Sequence, residues 1–544
     1  VKPLAYGLGL EIVPSRERFS GHARVLVELS EATTTIWLHA KGLSVSQARA
    51  EVGGSSLAAN FQQVNDEGLA RLHFEQPVPE GRAMLDLVYD APFDRQLSGL
   101  YKVQVEGRDY AFTQFEAVSA RQAFPCFDEP AFKTPFDIAL TLPADQVAIS
   151  NTREHGVETL VGGMKRVLFE TTKPLPSYLV ALMVGPFDVV EAAPIAPNAV
   201  RATALPLRGV AVQGRGERLR YALEHTGELV AELERYFGIA YPFPKLDLIA
   251  VPDFSAGAME NAGAITFREW LLMVDPQTAT EGQRRSYSSV NAHELAHHWT
   301  GDLVTMPWWD DIWLNEAFAT WMAARVLANV HPEYHADTAL LGSVLATMDA
   351  DSRVSARKIR QPIASTHDIT NAFDGITYQK GAGVIAMFER YLGAETFQKG
   401  VQAHLRAHAY GVADAQDLLA ALGQAAGKDV ATAMGSFLDQ AGVPLIEADT
   451  RCTPTAAVLH LHQSRYLPAG SQGKRDQRWQ VPVCARYEVG GQAHQGCVLL
   501  SEIDGDLPLE GGCPDWLLPN AEGAGYYRWS LGAADLDKLR KAGF

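Results

Sequence analysis

Two histidines four positions apart, in His293-Glu294-Leu295-Ala296-His297, require this stretch to be helical if they are to act together. At about 3.6 residues per turn, positions i and i+4 share one face with Cβ atoms roughly 5–6 Å apart, so both imidazoles can converge on one metal ion. Glu294 projects about 100° round the same helix and is no ligand beside them. It is placed instead to take a proton from a water at the metal, the general-base role that H-E-x-x-H implies. A catalytic zinc needs three protein ligands and an open fourth position. Glu316, in Trp313-Leu314-Asn315-Glu316-Ala317 beyond residues 298 to 315, supplies the third. One Zn2+ per chain is expected.

The surrounding residues support that helix. Thr280 and Gln283 form a T-x-x-Q capping box that would start it, and Tyr287, Val290, Ala292 and Leu295 provide apolar packing positions through the two histidines. Gly301 and Pro307 then break the run, and Asp310 or Asp311 is expected to cap a second helix carrying Glu316. His298, one residue past a ligand, points about 100° away and is expected near the metal shell or at the surface.

A chain of 544 residues exceeds one core and should form about three or four domains. Its 47% hydrophobic and 20% charged residues are ordinary for a soluble globular protein. A net charge of -17 argues against nucleic acid and anionic membrane surfaces as partners. No run approaches the roughly 18 apolar residues that cross a bilayer, and the nearest, 178–184, reads as a buried strand. The sequence begins at Val1 with neither an initiator methionine nor a signal-like segment; any targeting peptide is expected to have been removed or not to be included.

Gly257-Ala258-Met259-Glu260-Asn261 precedes the zinc motif by about thirty residues and follows the strand-like run Leu246 to Val251. With the zinc motif, these residues resemble the gluzincin aminopeptidases, the family of aminopeptidase N and leukotriene hydrolase. The resemblance extends nearly end to end, through Thr113-Gln114-Phe115-Glu116-Ala117, Phe124-Pro125-Cys126-Phe127-Asp128-Glu129-Pro130, Tyr378-Gln379-Lys380-Gly381-Ala382 and Trp516-Leu517-Leu518-Pro519-Asn520. It implies hydrolysis of single residues from peptides with a free N-terminus. Glu294 is then the base and Tyr378 the phenol that donates to the oxyanion. Glu260 and Glu116, aided by Gln114, would meet the substrate ammonium, since a cation entering a closed cleft requires carboxylate partners. The main chain at Gly257 and Ala258 would pair with extended substrate, Met259 would line the first side-chain pocket, and Asn261 completes the motif. A further implication is a cis Glu116–Ala117 peptide.

The expected architecture is multidomain α+β. Residues 1–189 read as an open, saddle-like β domain, 190–443 as a thermolysin-like α/β catalytic domain, and 444–544 as a small β-sandwich. The family commonly adds a helical domain, which this sequence lacks: either it is a short member or a fragment of a longer product. The oligomeric state is left open.

Four of the five cysteines, Cys452, Cys484, Cys497 and Cys513, fall in the last hundred residues. Gly490-Gly491 between β-rich runs is a two-residue hairpin signal, and a turn centred there places Cys484 opposite Cys497 in a non-hydrogen-bonded pair. A Cys484–Cys497 bridge is therefore expected, with Cys452–Cys513 as the second and Cys126 free. Two bridges would indicate a periplasmic or extracellular setting; four buried thiols would indicate the cytoplasm. Three other functions are compatible with parts of the same residue pattern. A thermolysin-like endopeptidase has no use for Glu116 and Glu260, a leukotriene-type epoxide hydrolase carries Gln where this chain has Glu116, and a non-catalytic peptide-binding protein would be expected to have lost a ligand or the base.

Overall fold

Along Arg18–Leu29 every second residue is buried, the signature of a strand with one face on a core. Phe19, Ala23, Val25, Val27 and Leu29 point inward, and a one-residue slip would expose all of them. The computed structural model describes every residue from Val1 to Phe544. They divide into two compact units, Val1–Trp308 with His408–Val412, and Trp309–Ala407 with Ala413–Phe544.

The first unit is β-rich toward its N-terminus. Arg18–Leu29 belongs to a ten-stranded sheet in which Lys2–Glu11 pairs antiparallel with it and parallel with Phe136–Pro143. A four-stranded sheet includes Gly99–Val105 and Arg108–Gln114. The expected strand at 178–184 is corrected: Ser177–Leu179 is a 3-10 turn, and the paired strand is confined to Leu182–Gly185. Ser177 donates from Oγ to Asp128 Oδ1 at 2.6 Å, a tertiary bond that holds the turn against the local β preference.

A five-stranded sheet follows, in the order Phe187–Glu191, Leu207–Val212, Leu246–Val251, Ala264–Arg268, Ala258–Met259. Leu246–Val251 pairs in parallel with both neighbours and is buried at every residue, as expected of a parallel strand covered on both faces. Ala258–Met259 stands at the sheet edge, antiparallel to Ala264–Arg268.

The second unit opens with helices, among them Trp313–Val330, Ala336–Asp351 and Gly381–Leu392. It ends in a four-stranded sheet containing Val443–Cys452 and Ala457–Tyr466, and a three-stranded sheet containing Val481–Val489 and Gln492–Leu500. No helix is long and apolar enough to cross a membrane.

Both expected disulfides are present. Gly490 and Gly491 have φ of 58° and 79°, the left-handed pair that a type I′ hairpin requires and that glycine adopts without a Cβ penalty. That turn sets the register Cys484 opposite Cys497, with Cα atoms 4.1 Å apart. Cys452 and Cys513 form the second bridge, and Cys126 is free and buried. Thiol titration of the denatured, unreduced protein should therefore find one reactive thiol. Reduction should cost about 2–4 kcal/mol of stability per bridge; five thiols in the first measurement would remove both bridges.

Candidate active site

The helix Glu281–His297 begins with the capping box read from its residues. Thr280 Oγ1 accepts from the Gln283 N–H at 3.2 Å, and the Thr280 N–H donates to Gln283 Oε1 at 2.9 Å, satisfying two backbone groups of the first turn. Further along, Tyr287 donates from its hydroxyl to the Ala222 carbonyl at 2.9 Å, and Asn291 Nδ2 donates to the Tyr287 oxygen at 2.8 Å. The helix is thereby bonded to Arg220–Phe237 before it reaches its histidines.

His293 and His297 then converge, with Nε2 atoms 3.0 Å apart. Two nitrogens on a tetrahedral zinc at Zn–N distances of about 2.0–2.1 Å stand roughly 3.3 Å from each other, so the pair has the span of a shared ion. On the far side of the His297 ring, Nδ1 lies 3.3 Å from the Thr300 carbonyl. A proton donated there leaves the Nε2 lone pair for a metal. Donor chemistry and spacing both fit zinc. Carboxylate and imidazole atoms of Glu260, Glu294 and His297 all lie within 4.8 Å of one another, which places the residue expected as the base among them.

A second feature of this unit is a pair of acids. The carboxylates of Glu116 and Glu260 approach within 4.8 Å, and Glu260 Oε1 is 3.8 Å from His297 Nδ1. Glu260 is 3% exposed, so two negative groups this close favour a cation between them. Glu116 follows the strand Arg108–Gln114, and its peptide bond to Ala117 is cis. Gln114 Nε2 reaches Met259 Sδ at 3.3 Å. The segment Gly257–Asn261 is pinned beside Ala264–Arg268 by bonds from the Arg268 N–H to the Gly257 carbonyl and from the Ala264 N–H to the Asn261 carbonyl, each 2.8 Å. Asn261 is buried and donates from Nδ2 to Thr266 Oγ1 at 3.2 Å.

Of the two places expected for His298, near the metal shell or at the surface, the surface is ruled out, because the residue is fully buried. Its Nδ1 donates to the Glu294 carbonyl at 3.1 Å, and its Nε2 accepts from the Gly263 N–H at 3.3 Å. The ring so ties the helical turn carrying Glu294 to the start of Ala264–Arg268. Burial pulls this imidazole down to about 3, which keeps it neutral and able to accept.

In the second unit, Glu316 is buried in the first turn of Trp313–Val330. The expected cap by Asp310 or Asp311 is corrected, since no side chain caps this helix. Asp311 instead accepts from Arg360 Nε at 2.6 Å, Trp313 Nε1 at 3.1 Å and the Ala415 N–H at 3.1 Å; an Arg and an N–H from distant segments outcompete the local cap. Tyr378 lies in the π-helical turn Ile376–Lys380. A Cβ added at Gly381 would meet the Ala317 Cβ at 2.4 Å, so only glycine lets the Tyr378 turn pack this closely beside Glu316. The local sequence contains no sign of that contact.

The unit with the histidines thus holds two imidazoles at metal-ligand spacing, a carboxylate beside them and an acidic pair suited to a cation. Residues 221–437 match the family profile "Peptidase family M1 domain", and residues 2–179 match "Peptidase M1 N-terminal domain". The chain is 35% identical over 533 residues to "Aminopeptidase M1" of Arabidopsis thaliana, covering 94% of this chain and 59% of that protein. It is 32% identical to "Puromycin-sensitive aminopeptidase" of Caenorhabditis elegans, over 97% of this chain and 56% of the relative. With "Aminopeptidase 2" of Candida albicans the identity is 31%, over 100% and 58%. The chain therefore spans less than two thirds of the length of these relatives.

Proposed function

Because this chain belongs to peptidase family M1, we propose that it is a zinc-dependent aminopeptidase that removes single residues from the N-termini of peptides. The observation that carries the reading is the acidic pair Glu116 and Glu260 beside His297 and Glu294, a cation site next to a hydrolytic one. An endopeptidase has no need of such a pair. The relatives named aminopeptidases point the same way.

His293, His297 and Glu316 would hold the zinc. When bound, zinc supplies a Lewis acid for the scissile carbonyl and lowers the pKa of a water to about 7. Glu294 takes the proton of the attacking water and returns it to the leaving nitrogen. Tyr378, a phenol that stays protonated at neutral pH, donates a hydrogen bond to the oxyanion. Glu116 and Glu260 accept from the substrate ammonium, with Gln114 and Asn261 bounding the same pocket. Gly257 and Ala258, at the sheet edge, add the extended substrate as a further strand, and Met259 contacts its first side chain.

The finer architecture belongs to the same reading: a β saddle over 1–189, a thermolysin-like catalytic domain over 190–443 and a β-sandwich over 444–544. The two bridges in the last of these support an oxidising setting, periplasmic or extracellular. Metal analysis with turnover of aminoacyl p-nitroanilides and their N-acetyl counterparts tests the function. One zinc per chain and cleavage of the free-amine series far faster than of the acetylated one is the expected result. Equal rates on acetylated substrates would replace it with an endopeptidase, and bound zinc without turnover on any substrate with a binding protein.

A further inference from the structure

The turn that carries Tyr378 is fastened from beneath by charges that no step of the reaction uses. Ile376–Lys380 is a π-helical turn, a conformation that occurs mostly as single turns and is frequent at functional sites. Within it Thr377 and Lys380 are both fully buried, whereas Tyr378 is half-buried, so two anchors face inward and the phenol faces out. Thr377 Oγ1 accepts from Arg357 Nη2 at 2.8 Å, and Arg357 also holds Asp374 through Nε at 3.1 Å. Asp374 Oδ1 in turn accepts the Ile376 N–H at 2.8 Å. That side is near the surface, because Asp374 is exposed.

The other anchor is deeper. Lys380 Nζ stands 2.9 Å from Asp351 Oδ2 with both side chains at 0% exposure, and it donates to the Gln440 carbonyl at 3.1 Å. Asp351 Oδ1 accepts the Gly442 N–H at 2.8 Å, and its Oδ2 accepts from the Tyr526 hydroxyl at 3.1 Å. The Tyr526 ring lies 5.6 Å from the same ammonium. Burial and the neighbouring carboxylate push the Tyr526 phenol well above its ordinary range, so its hydroxyl remains a donor.

A buried ion pair of this kind adds little stability over an apolar filling of the same volume. What it does add is direction. A lysine that must meet Asp351, a backbone carbonyl and an aromatic face has one acceptable position, and the backbone two residues from Tyr378 is set by it. Hydrogen-bond catalysis demands such precision, since a donor displaced by about 1 Å loses most of its effect.

We propose that the buried Lys380–Asp351–Tyr526 triad is the positioning device for the Tyr378 hydroxyl, so that Tyr526, 148 positions later in the chain, sets the rate of the chemical step. The inference rests on the oxyanion role proposed for Tyr378. Tyr526→Phe removes one hydroxyl and leaves the ring that packs over Lys380, so the full chain carrying it is the gentlest probe. With a chromogenic aminoacyl substrate, Tyr526→Phe should lower kcat by about 10–150-fold, the range of one hydrogen bond to a charged group, with KM within about twofold. Tyr378→Phe should cost about 10²–10³-fold, and adding Tyr526→Phe to it should cost nothing more, because no hydroxyl is left to position.

Full kcat in Tyr526→Phe would overturn the positioning role and leave the donor role of Tyr378 standing. Losses that multiply in the double variant would also overturn it, by showing that Tyr526 acts elsewhere. Full activity in Tyr378→Phe would remove the donor role and the positioning role together. A Lys380→Met variant gives the same reading where it folds: its loss should likewise vanish in a Tyr378→Phe background, and a loss that persists there counts against the proposal.

Discussion

Glu294→Gln is expected to lower kcat by about 10²–10⁴-fold while the protein retains its zinc. The prediction follows from helix geometry. Residue 294 is one step from His293 and so points about 100° away from the face on which the two imidazoles meet, yet its carboxylate stays within 4.8 Å of ligating atoms of His297 and Glu260. A group in that position would reach a water at the metal without itself binding the ion. Glutamine keeps the shape and the hydrogen-bonding reach but accepts no proton, so the chemical step alone is lost. His297→Ala is the contrasting variant. It removes a ligand whose ring is oriented through the Thr300 carbonyl, so metal and turnover should disappear together. Metal analysis of both proteins beside steady-state kinetics checks the division, and zinc loss from Glu294→Gln equal to that from His297→Ala would end it.

The second large effect is on the substrate's amino end. Glu260→Ala should reduce kcat/KM for a free-amine dipeptide amide by about 10²–10³-fold, corresponding to the roughly 3–4 kcal/mol lost when one partner of a buried charge pair is removed. Glu116→Ala should act in the same direction and less strongly, because Glu116 is less buried than Glu260. Zinc content should not change in either. The informative comparison is with an N-acetylated substrate, which carries no ammonium: its slow cleavage should be nearly the same in the variant and the parent. A loss of equal size on both substrates would show that Glu260 supports the zinc or the fold rather than the ammonium.

Much of this site was legible because its rules are local. The i, i+4 spacing of His293 and His297 and the Thr280–Gln283 box depend only on the 3.6-residue period and the unpaired backbone groups of a helix end. The Cys484–Cys497 bridge follows from a two-residue turn and the alternation of a hairpin. Where the reading failed, a distant residue had intervened. At 178–184 an apolar run looks like a strand, but Ser177 bonds to Asp128 and winds its beginning into a 3-10 turn. Asp311 has the composition of a cap, but Arg360 and the Ala415 N–H claim it. For His298 the helix left two places open, and the buried one is taken up with a bond from the Gly263 N–H of a separate segment.

By itself the sequence determined the i, i+4 spacing of His293 and His297, the capped start of their helix and the register of the cysteine hairpin, since each is settled by neighbours within a few turns of chain. Only the tertiary structure decided that Glu116 and Glu260, which the sequence joined through the family resemblance alone, lie within 4.8 Å of each other, that Gly381 must lack a side chain against Ala317, and that Lys380 meets Asp351, Gln440 and Tyr526. The physical reason is the same in all three cases. Burying a charge or bringing two backbones together is favourable only when a partner from another segment is already in place, and no local pattern encodes where that partner will be.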